Sequence, residues 1–298
     1  MALKARKTIR TIDRRAVARI SHMELRARKA MEGYYTGIHK SPYHGLNVEF
    51  AEYREYVPGD DLRYLDWRVV ARSDRYFIKQ FDAETNLNCY ILLDCSGSMD
   101  FGTSGMTRLD YAASAAAALA LLMLGQGDHV GLVCFDSAVR QFIPPRGNAR
   151  HFHAILETLE SAAPGKDTDL PAVLHEIAEQ VRRRSMVIIL SDFFDNVEEI
   201  LNGLQHFQHR RHEVIAFHLV DDAEIDFPYD RVTLFEGMER GEEIIADPQV
   251  VAEGYRERFR EYLAKIKRGC TEKGIDYELM RLSLPFDRAL TGFLARRK

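Results

Sequence analysis

The sequence predicts an α/β protein with a mostly parallel, doubly wound sheet, helices on both faces and a helical, loop-rich N-terminal extension. Three observations predict it. Short apolar runs alternate with helix-like stretches from residue 87 onward, the pattern of a parallel sheet covered on both sides. The runs Leu87–Leu93, Val130–Phe135, Met186–Leu190 and Val214–Val220 are apolar but for Asn88 and His218 and do not alternate, as strands buried on both faces do not. The stretch Arg108–Leu124 is apolar nearly all round, which marks a fully buried helix.

Taken in order, residues 8–32 come first. Ile9, Ile12, Ala16, Ile20, Met23, Ala27 and Ala30 fall at spacings of three and four, giving an amphipathic helix with a thin apolar stripe. Gly33 ends it. Residues 34–86 follow no simple period and are dense in aromatics and charges of both signs; short strands are expected at Asn47–Tyr53 and Tyr76–Phe81. The division is therefore 1–33 (basic amphipathic helix), 34–86 (loop-rich segment) and 87–298 (α/β domain). Within the last, Val139–Ile143 reads as a short strand, and His151–Leu159, Leu170–Val181 and Val197–Phe207 as helices. Arg231–Phe235 and Glu243–Ala246 read as a small hairpin inserted at a sheet edge. A helix through Val251, Tyr255, Phe259 and Ile266, a strand Asp276–Leu282 and a helix at 286–296 close the chain.

Composition narrows the function. The 298 residues are 46% hydrophobic and 29% charged, with net charge −4, so the chain is not a nucleic-acid binder by charge. Residues 1–30 nevertheless hold ten Lys and Arg against Asp13 and Glu24. That arm suits a solvated helix face, with contact to a membrane surface, RNA or an acidic partner as the alternative. Cys89, Cys95, Cys134 and Cys270 form no C-x-x-C pair and suit buried thiols in a reducing compartment. No apolar leader opens the sequence, and Ala112–Leu124 is too short for a bilayer, so a cytoplasmic location is expected.

The chemistry concentrates at Asp94-Cys95-Ser96-Gly97-Ser98, directly after the strand Leu87–Leu93. Asp94, Ser96 and Ser98 alternate, so three oxygen side chains can face one centre, with Gly97 expected to bend the backbone. Carboxylate and hydroxyl oxygens suit a hard cation such as Mg²⁺ or Mn²⁺. Thr168, before the helix at Leu170, and Asp192, after the strand Met186–Leu190, would complete the set; Asp167 and Asp169 flank Thr168 and compete for its role. Ligands gather at the carboxyl ends of strands in such sheets.

These residues resemble the metal-ion-dependent adhesion site of a von Willebrand factor A-type domain. The resemblance implies that Ser96, Ser98 and Thr168 bind metal through hydroxyls, and Asp94 and Asp192 directly or through water. Upstream, Glu49-Phe50, Arg54-x-Tyr56-x-Pro58-Gly59-Asp60-Asp61-x-Arg63-x-x-Asp66-Trp67, Ala71-Arg72 and Lys79-x-Phe81 resemble the hallmark of a bacterial family known as domain of unknown function fifty-eight. That likeness spans roughly 40–298 and implies a MoxR-type AAA+ ATPase as partner. Many members carry N-terminal membrane spans; this sequence shows none and resembles the family's soluble branch. On physical grounds Pro58-Gly59 makes a turn, Asp60 or Asp61 caps a short helix, Arg63 and Arg72 pair with Asp60, Asp61 or Asp66, and Trp67 anchors the segment. The functional alternative makes Asp60, Asp61, Arg63, Asp66 and Arg72 the surface that meets the ATPase.

The expected function is metal-dependent protein binding, not catalysis, with a partner Asp or Glu completing the metal's shell. A phosphatase with Asp94 as nucleophile would need an acid/base group two residues later, where Ser96 stands. A metal-free structural subunit is the other alternative. His151 and His153 read as helix-surface residues, and Asp221-Asp222 as the start of a loop.

Overall fold

The computed structural model describes residues 23–25, 27, 48–55, 76–83, 87–103, 105–165, 169–237, 243–286 and 288–290. The first two strands, β1 (Val48–Glu55) and β2 (Phe77–Ala83), pair antiparallel with Phe50 opposite Phe81. The two ends of the upstream motif are thus brought together by backbone pairing. Asp60, Asp61, Arg63, Asp66, Trp67 and Arg72 lie outside the described residues.

The α/β body follows. In chain order its elements are β3 (Asn88–Asp94), α1 (Arg108–Gly125), β4 (His129–Phe135), β5 (Val139–Arg146), α2 (Ala149–Ser161) and α3 (Leu170–Gln180), then β6 (Met186–Ser191), α4 (Val197–His209), β7 (Glu213–Val220) and the one-turn α5 (Asp222–Asp226). β8 (Thr233–Glu236), β9 (Glu243–Ala246), α6 (Pro248–Glu272) and β10 (Asp276–Arg281) complete it. Among the described residues, six strands form one sheet in the order β10-β7-β6-β3-β4-β5, with only β5 antiparallel.

Alternation along the central strands explains why both faces are covered. Ile91 and Leu93 of β3, Ile188 and Leu190 of β6, and Ile215 and Phe217 of β7 pack on the α1 side. Leu92, Val187, Ile189, Val214 and Ala216 point the other way, against α3, α4 and α6. Each fully buried aliphatic side chain contributes about 1.5–3 kcal/mol. α1 lies in the first layer, with Ala112, Ala115–Ala118 and Ala120 letting it sit close to the sheet. By length and composition it could cross a membrane, but 72% of its apolar window is buried inside the molecule.

Local signals set the boundaries. Thr107 and Asp110 form a reciprocal capping box at the start of α1, satisfying two otherwise free N–H groups. Asn148, Asp169, Asn196, Asp221 and Asp247 cap α2 to α6. β5 runs on to Arg146 through Pro144 and Pro145, further than expected. Prolines are tolerated there because β5 is an edge strand with a bulged register against β4.

Two expectations need correction. The hairpin β8–β9 is a separate two-stranded sheet, not an addition to the edge of the main one; Phe235 holds it through rings of Phe227 and Tyr229. His151 is not on the surface. It is buried, with Nε2 2.7 Å from the Val130 carbonyl, because it stands four residues before Ile155 on the apolar face of α2. His153 is exposed as expected. Of the first helix, residues 23–25 and 27 are described and helical; the stripe residues Met23 and Ala27 are buried in the core while Leu25 is exposed.

Candidate metal centre

Chain order and sheet order part company at β3. The connection through α1 leads to β4 on one side, and β6 lies on the other. The crevice at the carboxyl ends of β3 and β6 is therefore the switch point of the sheet, where open α/β sheets bind ligands. β3 ends in Asp94, and β6 runs into Ser191 and Asp192.

The Asp94–Ser98 loop is held by its own polar groups. Asp94 Oδ1 accepts from the Ser96 N–H at 2.9 Å. Asp94 Oδ2 accepts from the Ser191 hydroxyl at 2.6 Å. Ser191 Oγ in turn accepts from the Phe193 N–H at 2.9 Å, which fixes its own proton on Asp94. The hydroxyls of Ser96 and Ser98 lie 3.0 Å apart, so the alternate spacing does bring them together. The bend is a 3₁₀ turn, Gly97–Asp100. Positive φ at glycine is confined, among the described residues, to Gly105, Gly127 and Gly274, so Gly97 serves without the left-handed conformation. The Cys95 thiol turns back to the Leu93 carbonyl, away from the oxygens.

The residue after Asp192 carries backbone strain. Phe193 has φ +48°, a left-handed conformation that costs a β-carbon residue about 1 kcal/mol or more. Burial of its ring beside His218 and the hydrogen bond from Tyr262 to its carbonyl hold it there. Thr168 lies outside the described residues, as do Lys166 and Asp167. The ends of its loop are placed, however. The Gly165 N–H donates to the Cys95 carbonyl at 2.6 Å, and Asp169 caps α3 by accepting from the Ala172 N–H. Asp169 Oδ1 thus serves as the cap of α3.

The family model described as "Protein of unknown function DUF58" matches residues 52–268. The chain belongs to this family. Uncharacterized protein Mb1516 of Mycobacterium bovis and uncharacterized protein Rv1480 of Mycobacterium tuberculosis are each 30% identical over 265 residues, covering 87% of this chain and 83% of theirs. Among solved structures, the conserved hypothetical protein BatB from Bacteroides thetaiotaomicron aligns over 70% of this chain and 98% of its own, at 14% identity and TM-score 0.48. An aerotolerance-related membrane protein from Bacteroides fragilis aligns over 70% and 99%, at 18% identity and TM-score 0.47.

The DUF58 chain also has site residues that its sequence did not announce. Arg108, the first residue of α1, is buried against Asp192. Its Nη1 donates to Asp192 Oδ2 at 3.0 Å and to the Ser98 carbonyl at 2.7 Å. Its Nη2 pairs with Glu224, and its guanidinium lies over the Phe101 ring, 5.0 Å from the centroid. Asp221 accepts from the Thr103 N–H at 2.9 Å and hydroxyl at 2.6 Å, tying the loop after the 3₁₀ turn to the end of β7. Asp221 is therefore a cap and a brace rather than a bare loop start.

The charges of this DUF58 site act on one another at short range. Burial, and then the Asp192 charge, push the Asp94 carboxyl up to about 7, against hydrogen bonds from Ser191 and Ser96. Burial opposes the charge on Arg108, but Asp192 and Glu224 more than offset it and raise its pKa. His218 is pushed down to about 3 by burial and by Arg108, so it stays neutral. The donor set is all oxygen: two carboxylates and two hydroxyls. No group of three His, Cys, Asp or Glu among the described residues could hold a metal. By donor chemistry alone, carboxylate and hydroxyl oxygens suit a hard cation better than zinc.

Proposed function

We propose that this DUF58 chain is a metal-dependent protein-binding module of the von Willebrand factor A type, acting as adaptor or cofactor to a MoxR-type AAA+ ATPase. The observation that carries the reading is the hydroxyl pair Ser96–Ser98, 3.0 Å apart beside the buried Asp94 at the switch point of the sheet. Asp94, Ser96, Ser98, Thr168 and Asp192 would hold Mg²⁺ or Mn²⁺. The bound ion would supply an electrophilic centre with an open position for a carboxylate from the partner.

The chain's own residues do the rest. Asp94 anchors the loop through Ser96 and Ser191. Asp192 stands beside the Asp94–Ser98 loop, joined to it through Arg108. Phe194, 68% exposed next to Asp192, offers an apolar contact beside the acidic residue of a partner. Two carboxylates with three hydroxyls leave the ion little surplus negative charge, so a third carboxylate from outside is attracted. A cytoplasmic location follows from the same reading. Phosphatase chemistry lacks support: the group two residues after Asp94 is a serine bonded to another serine, which cannot transfer a proton near neutral pH.

Purified chain and a purified MoxR-type AAA+ ATPase from the same genome test this by pull-down. Binding is expected with Mg²⁺ and lost with EDTA or with Asp94→Ala. Binding that survives both treatments rules out the metal-dependent contact.

A further inference from the structure

Arg108 stands where a cation is least expected. It is the first residue of α1, at the end where the helix dipole is positive, and it is only 4% exposed. Burial and dipole both work against it, so its contacts must hold it there. Those contacts grip both walls of the crevice: the Asp192 carboxylate on the β6 side and the Ser98 carbonyl in the Asp94–Ser98 loop. Glu224 holds the other guanidinium nitrogen. Nε has no acceptor among the described residues, so the guanidinium is incompletely satisfied.

We infer that Arg108 is the internal counter-ion of the metal site: it neutralises Asp192 when no divalent cation is bound, and it sets the affinity for one. The inference rests on the reading of Asp94, Ser96 and Ser98 as the metal loop. Glu224 is the second anchor, drawing part of the guanidinium's charge away from Asp192. A fixed positive charge a few ångströms from a divalent cation opposes its binding. At an effective dielectric near 20 that repulsion is worth roughly tenfold or more in affinity. Removing the charge of Glu224 acts in the opposite sense. A merely structural Arg108 predicts another sign, because loss of a brace for the loop would weaken binding.

Calorimetric titration with Mn²⁺ alone decides between them. Arg108→Gln is expected to bind at least about tenfold more tightly than wild type, Glu224→Gln more weakly, and Asp94→Ala not at all. Metal-free Arg108→Gln should melt at a lower temperature than wild type and gain more from Mn²⁺. If Arg108→Gln does not fold, Arg108→Lys decides: it keeps the charge, so binding close to that of wild type is expected, and clearly weaker binding, the mark of a lost brace, overturns the inference. Equal or weaker binding by folded Arg108→Gln, with wild type binding and Asp94→Ala not, overturns the role of Arg108 and leaves the metal site standing. Wild type that takes up no Mn²⁺, or Asp94→Ala that binds as well as wild type, overturns both.

Discussion

The hydroxyl of Ser191 donates to Asp94 Oδ2 at 2.6 Å, although the two residues are 97 positions apart. Both are buried, and the bond joins the carboxyl ends of the neighbouring strands β3 and β6. Ser191→Ala removes the only hydroxyl on that carboxylate oxygen among the described hydrogen bonds. The expected cost is about 1–3 kcal/mol in the metal-free protein, the desolvation penalty of an unsatisfied buried acceptor. Urea denaturation in EDTA measures it, and a variant as stable as wild type would show that the bond contributes nothing.

Gly165 lies where the loop bearing Thr168 meets the Asp94–Ser98 loop. An added Cβ would collide with the Arg140 guanidinium and the Asp136 carboxylate, which are themselves ion-paired. Gly165→Ala should therefore destabilise by about 1–3 kcal/mol and weaken metal binding by displacing Thr168. Gly254 in α6 is the control, because a Cβ there meets nothing; Gly254→Ala should stabilise by about 0.5–1 kcal/mol. Equal effects at the two glycines, read by urea denaturation, would remove the steric argument.

Acid should act in part through His212, alongside the buried His218. The His212 Nδ1 accepts from the Ser185 N–H at 3.1 Å, so in the neutral ring Nε2 carries the proton and faces the Val181 carbonyl. Burial holds its pKa below the usual 6.5. The unfolded chain then takes up the proton first as pH falls, so the stability is complete above about 6.5 and is lost as pH falls through the folded value. Thermal melts of wild type and His212→Gln between pH 8 and pH 5 test this: the wild-type advantage should shrink on acidification. An advantage that stays constant or grows would mean His212 is not held neutral. Comparing the two proteins cancels the opposite contribution of Asp94, whose raised pKa favours the acid side.

What could be read from the sequence divides by distance along the chain. β3, β6 and β7 were legible because strands buried on both faces are written as nearly continuous apolar runs. The Asp94, Ser96 and Ser98 set was legible because alternate spacing acts within five residues. Arg108 was not, since its partner Asp192 is 84 residues away, and an arginine opening an apolar helix looks like its solvated end. The same distance hid Ser191 and the Thr103–Asp221 brace, separated by 118 residues. His151 had a local signal, its spacing from Ile155, but imidazoles at helix starts more often face water. The detached hairpin was misplaced because strand pairing across Leu234 and Ile245 is satisfied locally and says nothing of the sheet's edge.

The central claim is that Asp94, Ser96 and Ser98 bind a divalent cation, and thermal denaturation with and without Mg²⁺ or Mn²⁺ tests it most directly. An ion that binds only the folded chain stabilises it by about 2.7 kcal/mol at a hundred times its dissociation constant. Wild type should therefore melt several degrees higher with metal than with EDTA, while Asp94→Ala and Ser96→Ala/Ser98→Ala, both folded, should show no shift. A melting temperature that metal leaves unchanged in wild type, or raises equally in all three proteins, would contradict the account.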